Sequence, residues 1–293
     1  MNYNKQLLRV ILLITVCFSA SASKPEVAKV QSVKTGNGNR ASTILLSKTG
    51  GAFGEKDALS IINTLQILGY KIDQKRESRD SVLLVKKSAH KKDKSVSLFN
   101  GENLDGWKTF IQDEKGNKSA EKDFVVGDNM IHVNGKEVGY IITEKSFENY
   151  HLKVDFKWGV QKWPPRLDAK RDAGICYHIP LNEPDKIFPA CIECQIQEGD
   201  TGDFWLIGNS TVEVDGKANE PADYTRILKR KDAEKPYGEW NTVEVISCNG
   251  KCIHIVNGEI VNYGENASLK SGRILLQSEY AEVFYKNITI QEL

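Results

Sequence analysis

The sequence has little that would commit it to a membrane, a metal or a nucleic acid. Beyond the first two dozen residues no apolar run approaches the ~20 residues a spanning helix needs, so no transmembrane segment is expected. No repeat with a period of about 20–50 residues is visible, which excludes solenoids and propellers. Cysteine is sparse, at 6 residues. Cys191 and Cys194 form a lone C-x-x-C with no second pair at zinc spacing. Net charge is only +1, but it is unevenly spread: residues 24–95 carry roughly +8 and residues 96–293 roughly −9. The basic part includes Lys86, Lys87, Lys91, Lys92 and Lys94 but only two aromatic residues, Phe53 and Tyr70. It lacks the interleaved basic and aromatic pattern of a nucleic-acid surface, so a solvated linker is expected and no nucleic acid partner.

What is present begins with an export signal over residues 1–22. Lys5 and Arg9 give the positive start, Leu7 to Val16 the short apolar stretch, and Ala20-Ser21-Ala22 a small-residue cleavage site. The expectation is an exported, periplasmic protein. Lipidation at Cys17, anchoring it at the membrane surface, is the alternative, although Val16 is bulkier than such signals usually place before the cysteine. An exporting cell could oxidise the remaining cysteines, but geometry opposes the obvious pairs. Cys248 and Cys252 flank the Asn249-Gly250 hairpin turn, which pairs Cys248 with Lys251 and turns Cys252 to the other face. Cys191 and Cys194, three apart on a strand, also face opposite sides. They are expected to be small buried hydrophobes.

Residues 23–41 are polar and read as a disordered linker. Residues 42–89 read as a small α+β segment: a strand at Thr43–Leu46, a helix from Glu55 to Leu68 with Leu59, Ile62 and Leu65 on one side, and strands at Lys71–Lys75 and Ser81–Lys86. From Ser95 the period changes to two. Leu152, Val154, Phe156 and Trp158 alternate with His151, Lys153, Asp155 and Lys157. Further strands follow at Thr242–Cys248, Cys252–Val256, Glu259–Tyr263, Arg273–Gln277, Glu282–Tyr285 and Ile288–Leu293, with turns at Asn249-Gly250 and Asn257-Gly258. Many short strands with hardly any helix predict a mainly β sandwich or jelly roll over residues 95–293.

One strand is unusual. Ile192, Cys194 and Ile196 form an apolar face, while Glu193, Gln195 and Gln197 form the other. Glu198, Asp200 and Asp203 follow at once, then Phe204 and Trp205. Upstream, Cys176 and His178 are expected to share a strand face. Carboxylates and carboxamides read sugar hydroxyls in pairs, and aromatic rings stack on sugar C–H faces. A sheet face with Glu, Gln and Arg, rimmed by Trp205 and Trp163, suits carbohydrate; an ordinary solvated strand face is the plainer reading.

These residues also carry a resemblance. Leu98-Phe99-Asn100-Gly101-Glu102-Asn103-Leu104-Asp105-Gly106-Trp107 resembles the "LFNGKDLSGW" opening of the 3-keto-disaccharide hydrolase domain family. The likeness continues in Arg171–Tyr177 (R-N-S-G-I-x-Y in the family), Glu193-Cys194-Gln195-Ile196 (E-x-Q-I), Trp240-Asn241, Gly272–Glu279, Val283 and Asn287–Leu293. It covers roughly residues 95–293. Asp172-Ala173 stands in place of Asn-Ser, and Tyr285-Lys286 in place of Phe-Arg. The resemblance implies a concanavalin-like jelly-roll sandwich with its site on the concave face. It also implies action on 3-keto-glycosides, oxidised beforehand at carbon 3 by a partner sugar dehydrogenase.

A ketone at carbon 3 acidifies the hydrogen on carbon 2. A base removes it, the enolate expels the aglycone from carbon 1, and water adds back. The route needs a base, a stabiliser for the enolate oxygen and an acid for the leaving group. Glu193 is the first candidate for the base and His178 the second; Arg171 is the candidate stabiliser. Gln195, Gln197, Glu198, Asp203, Trp205, Gln277 and Glu279 are candidates for holding substrate. His178 also fits a structural role, and Arg171 a surface ion pair. Glu193, Gln195 and Glu198 match the E-x-D-x-x-E spacing of concanavalin-like β-glucanases except for Gln in the middle, which disfavours ordinary retaining hydrolysis. A divalent cation on His178, Glu193 and Asp200 is a further reading without recognisable ligand spacing. A non-catalytic carbohydrate-binding module and an ordinary glycoside hydrolase remain the competing functions.

Overall fold

The computed structural model describes residues 26–34, 40–47, 61–66, 71–72, 81–86, 95–112 and 122–293. The chain divides into two compact units, Met1–Ser88 and Ala89–Leu293. The export signal and Cys17 lie outside the described residues. Among the described residues no helix is long and apolar enough to cross a membrane.

The first unit contains an antiparallel sheet of β1 (Glu26–Lys34), β2 (Arg40–Ser47), β3 (Lys71–Ile72) and β4 (Ser81–Lys86), in the order β1-β2-β4-β3. Residues 61–66 are helical. The stretch read from sequence as a polar tether therefore contributes a nine-residue strand. Val27, Val30 and Val33 supply the β-branched content, and the register sets Val27 opposite Leu46 and Val30 opposite Ile44.

The second unit is a sandwich of two antiparallel sheets. The first runs β19 (Glu259–Gly264), β18 (Lys251–Val256), β17 (Asn241–Cys248), β10 (Tyr150–Lys162), β21 (Ala281–Glu292), β8 (Met130–Val133), β7 (Phe124–Gly127), with β5 (Val96–Ser97) also on β21. The second runs β16 (Tyr224–Ile227), β13 (Phe204–Ile207), β12 (Cys191–Gln195), β11 (Gly174–Ile179), β20 (Arg273–Ser278), β9 (Gly139–Thr143), β6 (Trp107–Ile111). A short hairpin, β14 (Glu213–Val214) and β15 (Lys217–Ala218), completes the set. Alternation decides the packing. Leu152, Val154, Phe156 and Trp158 of β10 meet Ile175, Tyr177, Ile192, Cys194, Ile274 and Leu276 of the second sheet in one buried core. Each such side chain contributes about 1.5–3 kcal/mol on burial.

Asn249-Gly250 and Asn257-Gly258 are tight turns with both residues at positive φ, between 49° and 84°, which Asn and Gly tolerate best. The two final segments expected from sequence are one strand, β21. Asn287, at φ 50°, absorbs a bulge there and keeps the pairing with β10 continuous. All five described cysteines are free and buried. Cys194 and Cys252 lie in the main core, while Cys191 lies on the other face of its sheet.

Candidate active site

The outward face of the second sheet carries an open cleft of about 300 Å³. Its floor follows from period two. Cys191, Glu193 and Gln195 of β12 point away from the core that takes Ile192 and Cys194. On β11 the same face carries Gly174 and Cys176, with Asp172 just before the strand; on β20 it carries Gln277, with Glu279 just after. Trp205 and Ile207 of β13 and Tyr224 of β16 continue it to the sheet edge.

Gly174 leaves room at the centre of the cleft for the ends of Glu193 and Gln277. A Cβ there would lie 2.0 Å from Glu193 Oε1 and 2.6 Å from Gln277 Oε1. The two side chains thus lean over the glycine from neighbouring strands. Gln277 Nε2 donates to Cys176 Sγ at 3.5 Å. Gln195 Oε1 accepts from the N–H groups of Ile196 and Gln197, at 2.8 and 3.0 Å, where the chain leaves β12.

Three carboxyl groups share this ground. Glu193 is 4% exposed and Asp172 6%. Burial, and then the negative charges of Asp172 and Glu279, push the Glu193 carboxyl well above the usual carboxylate range. Burial and Glu279 likewise raise Asp172 to about 7, against the pull of Arg166 and of the Gln197 amide. Arg166 is the counter-charge: its Nη2 lies 2.5 Å from Asp172 Oδ2 and also bonds Glu279. Gln197 Nε2 donates to the same Asp172 oxygen at 2.5 Å.

Of the residues expected from sequence, Glu193, Gln195, Gln197, Trp205, Gln277 and Glu279 line this cleft. His178 does not. It adopts φ 61° at a break in the β11–β20 register, so alternation fails there and its ring turns into the core. It hydrogen-bonds the Leu269 carbonyl through Nδ1 at 2.9 Å and the Ser247 hydroxyl through Nε2 at 3.0 Å. Burial depresses it to about 4, so it is a neutral structural histidine. Arg171 and Glu198 also stand apart from the cleft lining, paired with each other at 3.1 Å. Arg171 further donates to the Gly159 carbonyl and stacks 4.1 Å from the Tyr237 ring centre, so a structural pair replaces the expected enolate stabiliser. Asp203 is 1% exposed and bound to Arg226 at 2.6 Å and to the Lys229 N–H at 2.7 Å, a structural anchor. Trp163 lies outside the lining; its indole donates to the Asn134 carbonyl.

The β-glucanase-like pair is therefore not assembled, because β12 ends at Gln195 and Glu198 turns to Arg171. Nor is the cation trio. His178 is in the core and Asp200 is bound to Lys170 and Arg226. Among the described residues no group of three His, Cys, Asp or Glu comes together as metal ligands.

Besides Ile207 and Asp172, three residues of the lining escaped sequence reasoning. Arg166 follows Pro164-Pro165 in a loop, Phe188 sits in another loop, and Tyr224 lies on an edge strand. None has periodicity to mark it. Asp172 was visible only as an acid where the family pattern carries Asn.

The 3-keto-alpha-glucoside-1,2-lyase-like domain matches residues 94–291 of the chain. No curated protein matches it. Among solved structures, a Parabacteroides distasonis protein provisionally described as a glycosyl hydrolase is 23% identical, with a TM-score of 0.49, covering 68% of this chain and 94% of its own. The Bacillus licheniformis β-glucanase is 10% identical (TM-score 0.43, 70% and 100% covered). The carbohydrate-binding module CBM66 of Bacillus subtilis is 13% identical (TM-score 0.41, 64% and 96% covered).

Proposed function

The chain belongs to the 3-keto-alpha-glucoside-1,2-lyase-like family, and from that premise we propose that it cleaves 3-keto-glycosides in the Glu193 cleft by elimination and hydration. The observation that carries this reading is the Glu193 carboxyl, buried at the middle of a cleft lined by amides, with its proton affinity raised by burial and by Asp172 and Glu279. A carboxylate with raised proton affinity is a stronger base, suited to a carbon acid activated by a neighbouring ketone.

In this reading the sugar ring lies above Gly174, on top of the Glu193 and Gln277 side chains that converge there. Glu193 takes the proton from carbon 2, and the electron pair moves to the carbon 3 oxygen as an enolate. As the enolate collapses, the bond from carbon 1 to the glycosidic oxygen breaks and Glu193 returns the proton to the departing oxygen. One carboxyl thus serves as base and then as acid. Water then adds across the carbon 1–carbon 2 double bond, giving the free 3-keto sugar. Arg166, the guanidinium that lies in the cleft, takes the stabilising role first considered for Arg171. Gln195, Gln197 and Gln277 meet the hydroxyls. The substrate must be supplied by a reaction that oxidises carbon 3 of a glycoside, and the leader-like pattern of residues 1–22 supports export.

The test incubates the purified protein with a 3-keto-glucoside and with its unoxidised parent. Aglycone release from the keto form alone is expected, and Glu193→Gln should slow it by about 100-fold or more. Release from the parent would instead favour an ordinary glycoside hydrolase. Binding of both without release would favour a carbohydrate-binding module.

A further inference from the structure

We propose that Phe188, Trp205 and Tyr224 form the subsite for the leaving group, and that it selects a flat aromatic aglycone over a second sugar. The inference rests on Glu193 as the proton carrier, because that role fixes which way the glycoside lies.

The strand order gives the direction. Glu193 on β12 stands directly opposite Trp205 on β13, one strand spacing of about 4.8 Å away. On its other side Glu193 leans over Gly174 of β11 to meet Gln277 of β20. Arg166, Asp172, Gln197 and Glu279 are all on that β11–β20 side, with Gln195 on β12 itself. A sugar ring with its hydroxyls satisfied there has its glycosidic oxygen towards Glu193. The aglycone then projects over β13 and β16.

The chemistry changes at that line. Beyond Glu193 the cleft is lined by Trp205, Ile207, Tyr224 and Phe188. Phe188 and Tyr224 meet edge to face with ring centres 6.0 Å apart. Phe188 and Trp205 pack on a buried apolar cluster that includes Cys191 and Ile207, so both are held in place from beneath. One guanidinium borders this end: Arg226, opposite Trp205 on β16, lies 5.9 Å from the Trp205 ring centre, but it is engaged by Asp200 and Asp203. The Trp205 indole nitrogen is itself buried, and the Tyr224 hydroxyl is the polar group of the lining there. A second sugar would bring several hydroxyls to a place with few free partners for them. A planar apolar ring meets the faces and edges it needs.

The experiment measures binding as well as turnover. Calorimetry compares phenyl glucoside, methyl glucoside and a glucose disaccharide, all unoxidised, so the affinities do not depend on bond cleavage. Phenyl glucoside is expected to bind about 10-fold more tightly than either of the others. In Trp205→Ala the phenyl-to-methyl ratio should collapse to within about 2-fold of one. Tyr224, which is 54% exposed, gives a second variant that leaves the core intact; Tyr224→Ala should lower the same ratio. With the 3-keto substrates, both substitutions should raise KM for the phenyl glycoside more than they lower kcat. A disaccharide preferred over the phenyl compound overturns the proposal, as does a phenyl preference that survives both substitutions. If the preference and its loss are seen but no 3-keto-glycoside is cleaved, the subsite stands and the proton-carrier reading falls.

Discussion

Gly174→Ala separates the requirements of the fold from those of the site. Gly174 is not among the residues at positive φ, so alanine can take its backbone conformation without strain. In a strand interior the exchange should even gain about 0.5–1 kcal/mol. The new methyl would, however, meet Glu193 Oε1 at 2.0 Å and Gln277 Oε1 at 2.6 Å. Reaching ordinary contact at 3.4 Å requires the Glu193 oxygen to retreat by about 1.4 Å, the difference of the two distances. Both atoms are the far ends of flexible side chains, so the molecule yields at the site and not in its backbone. A displacement of about 1 Å in a reacting group costs roughly 100-fold in rate, equivalent to ~2.7 kcal/mol of barrier. The assay pairs aglycone release from a 3-keto-glucoside with a thermal melt of the same preparation. The expected result is kcat/KM reduced by about 100-fold or more with Tm changed by only a few degrees. An alanine variant that turns over within about threefold of wild type would refute the placement of the sugar over Gly174. So would activity lost only because the protein melts.

Asp172→Asn should stabilise the protein and move its pH profile. The folded carboxyl titrates near 7, above its ordinary value of 3.8, so the folded state holds a proton that the unfolded state releases between those values. Wild-type stability therefore falls as pH rises from about 4 to 7, and the asparagine variant should melt higher by a few degrees at pH 8, with little difference at pH 4. Removing that charge also lowers the proton affinity of Glu193, so the rising limb of activity against pH should move to lower pH by roughly one unit; an unmoved limb would count against Glu193 as the base. His178→Ala should cost ~1–3 kcal/mol of stability, by leaving the Ser247 hydroxyl and Leu269 carbonyl without their partner. Its kcat per folded molecule should stay at the wild-type value, and a selective loss of kcat with an unchanged melt would return His178 to the chemistry.

Alternation made much of this legible. The period-two run Leu152–Trp158 and the Asn-Gly turns fix strands, faces and register, and the same rule puts Glu193, Gln195, Gln277 and Glu279 on one outward face. The rule fails where the backbone leaves the extended region. One residue at φ 61° was enough to turn His178 into the core, and nothing in the identity of a histidine announces that conformation. Loops have no period at all, so Arg166 and Phe188 were invisible although they supply the cleft's guanidinium and part of its aromatic end. Arg171 attracted attention by its place in a motif. Its pairing with Glu198 instead serves to hold two loops together, a role that sequence cannot distinguish from a catalytic one.

The order β16-β13-β12-β11-β20-β9-β6 has a consequence for how such a protein can change. The residues proposed to transfer the proton occupy inner strands, each hydrogen-bonded on both sides, where a substitution disturbs packing in every direction. Tyr224 lies on the outermost strand and Phe188 in a loop, the positions whose local opening costs least. On the proposed reading, new leaving-group preferences are within reach of single substitutions at the margin that spend almost none of the molecule's stability, and selectivity can drift while the inner face around Glu193 stays fixed.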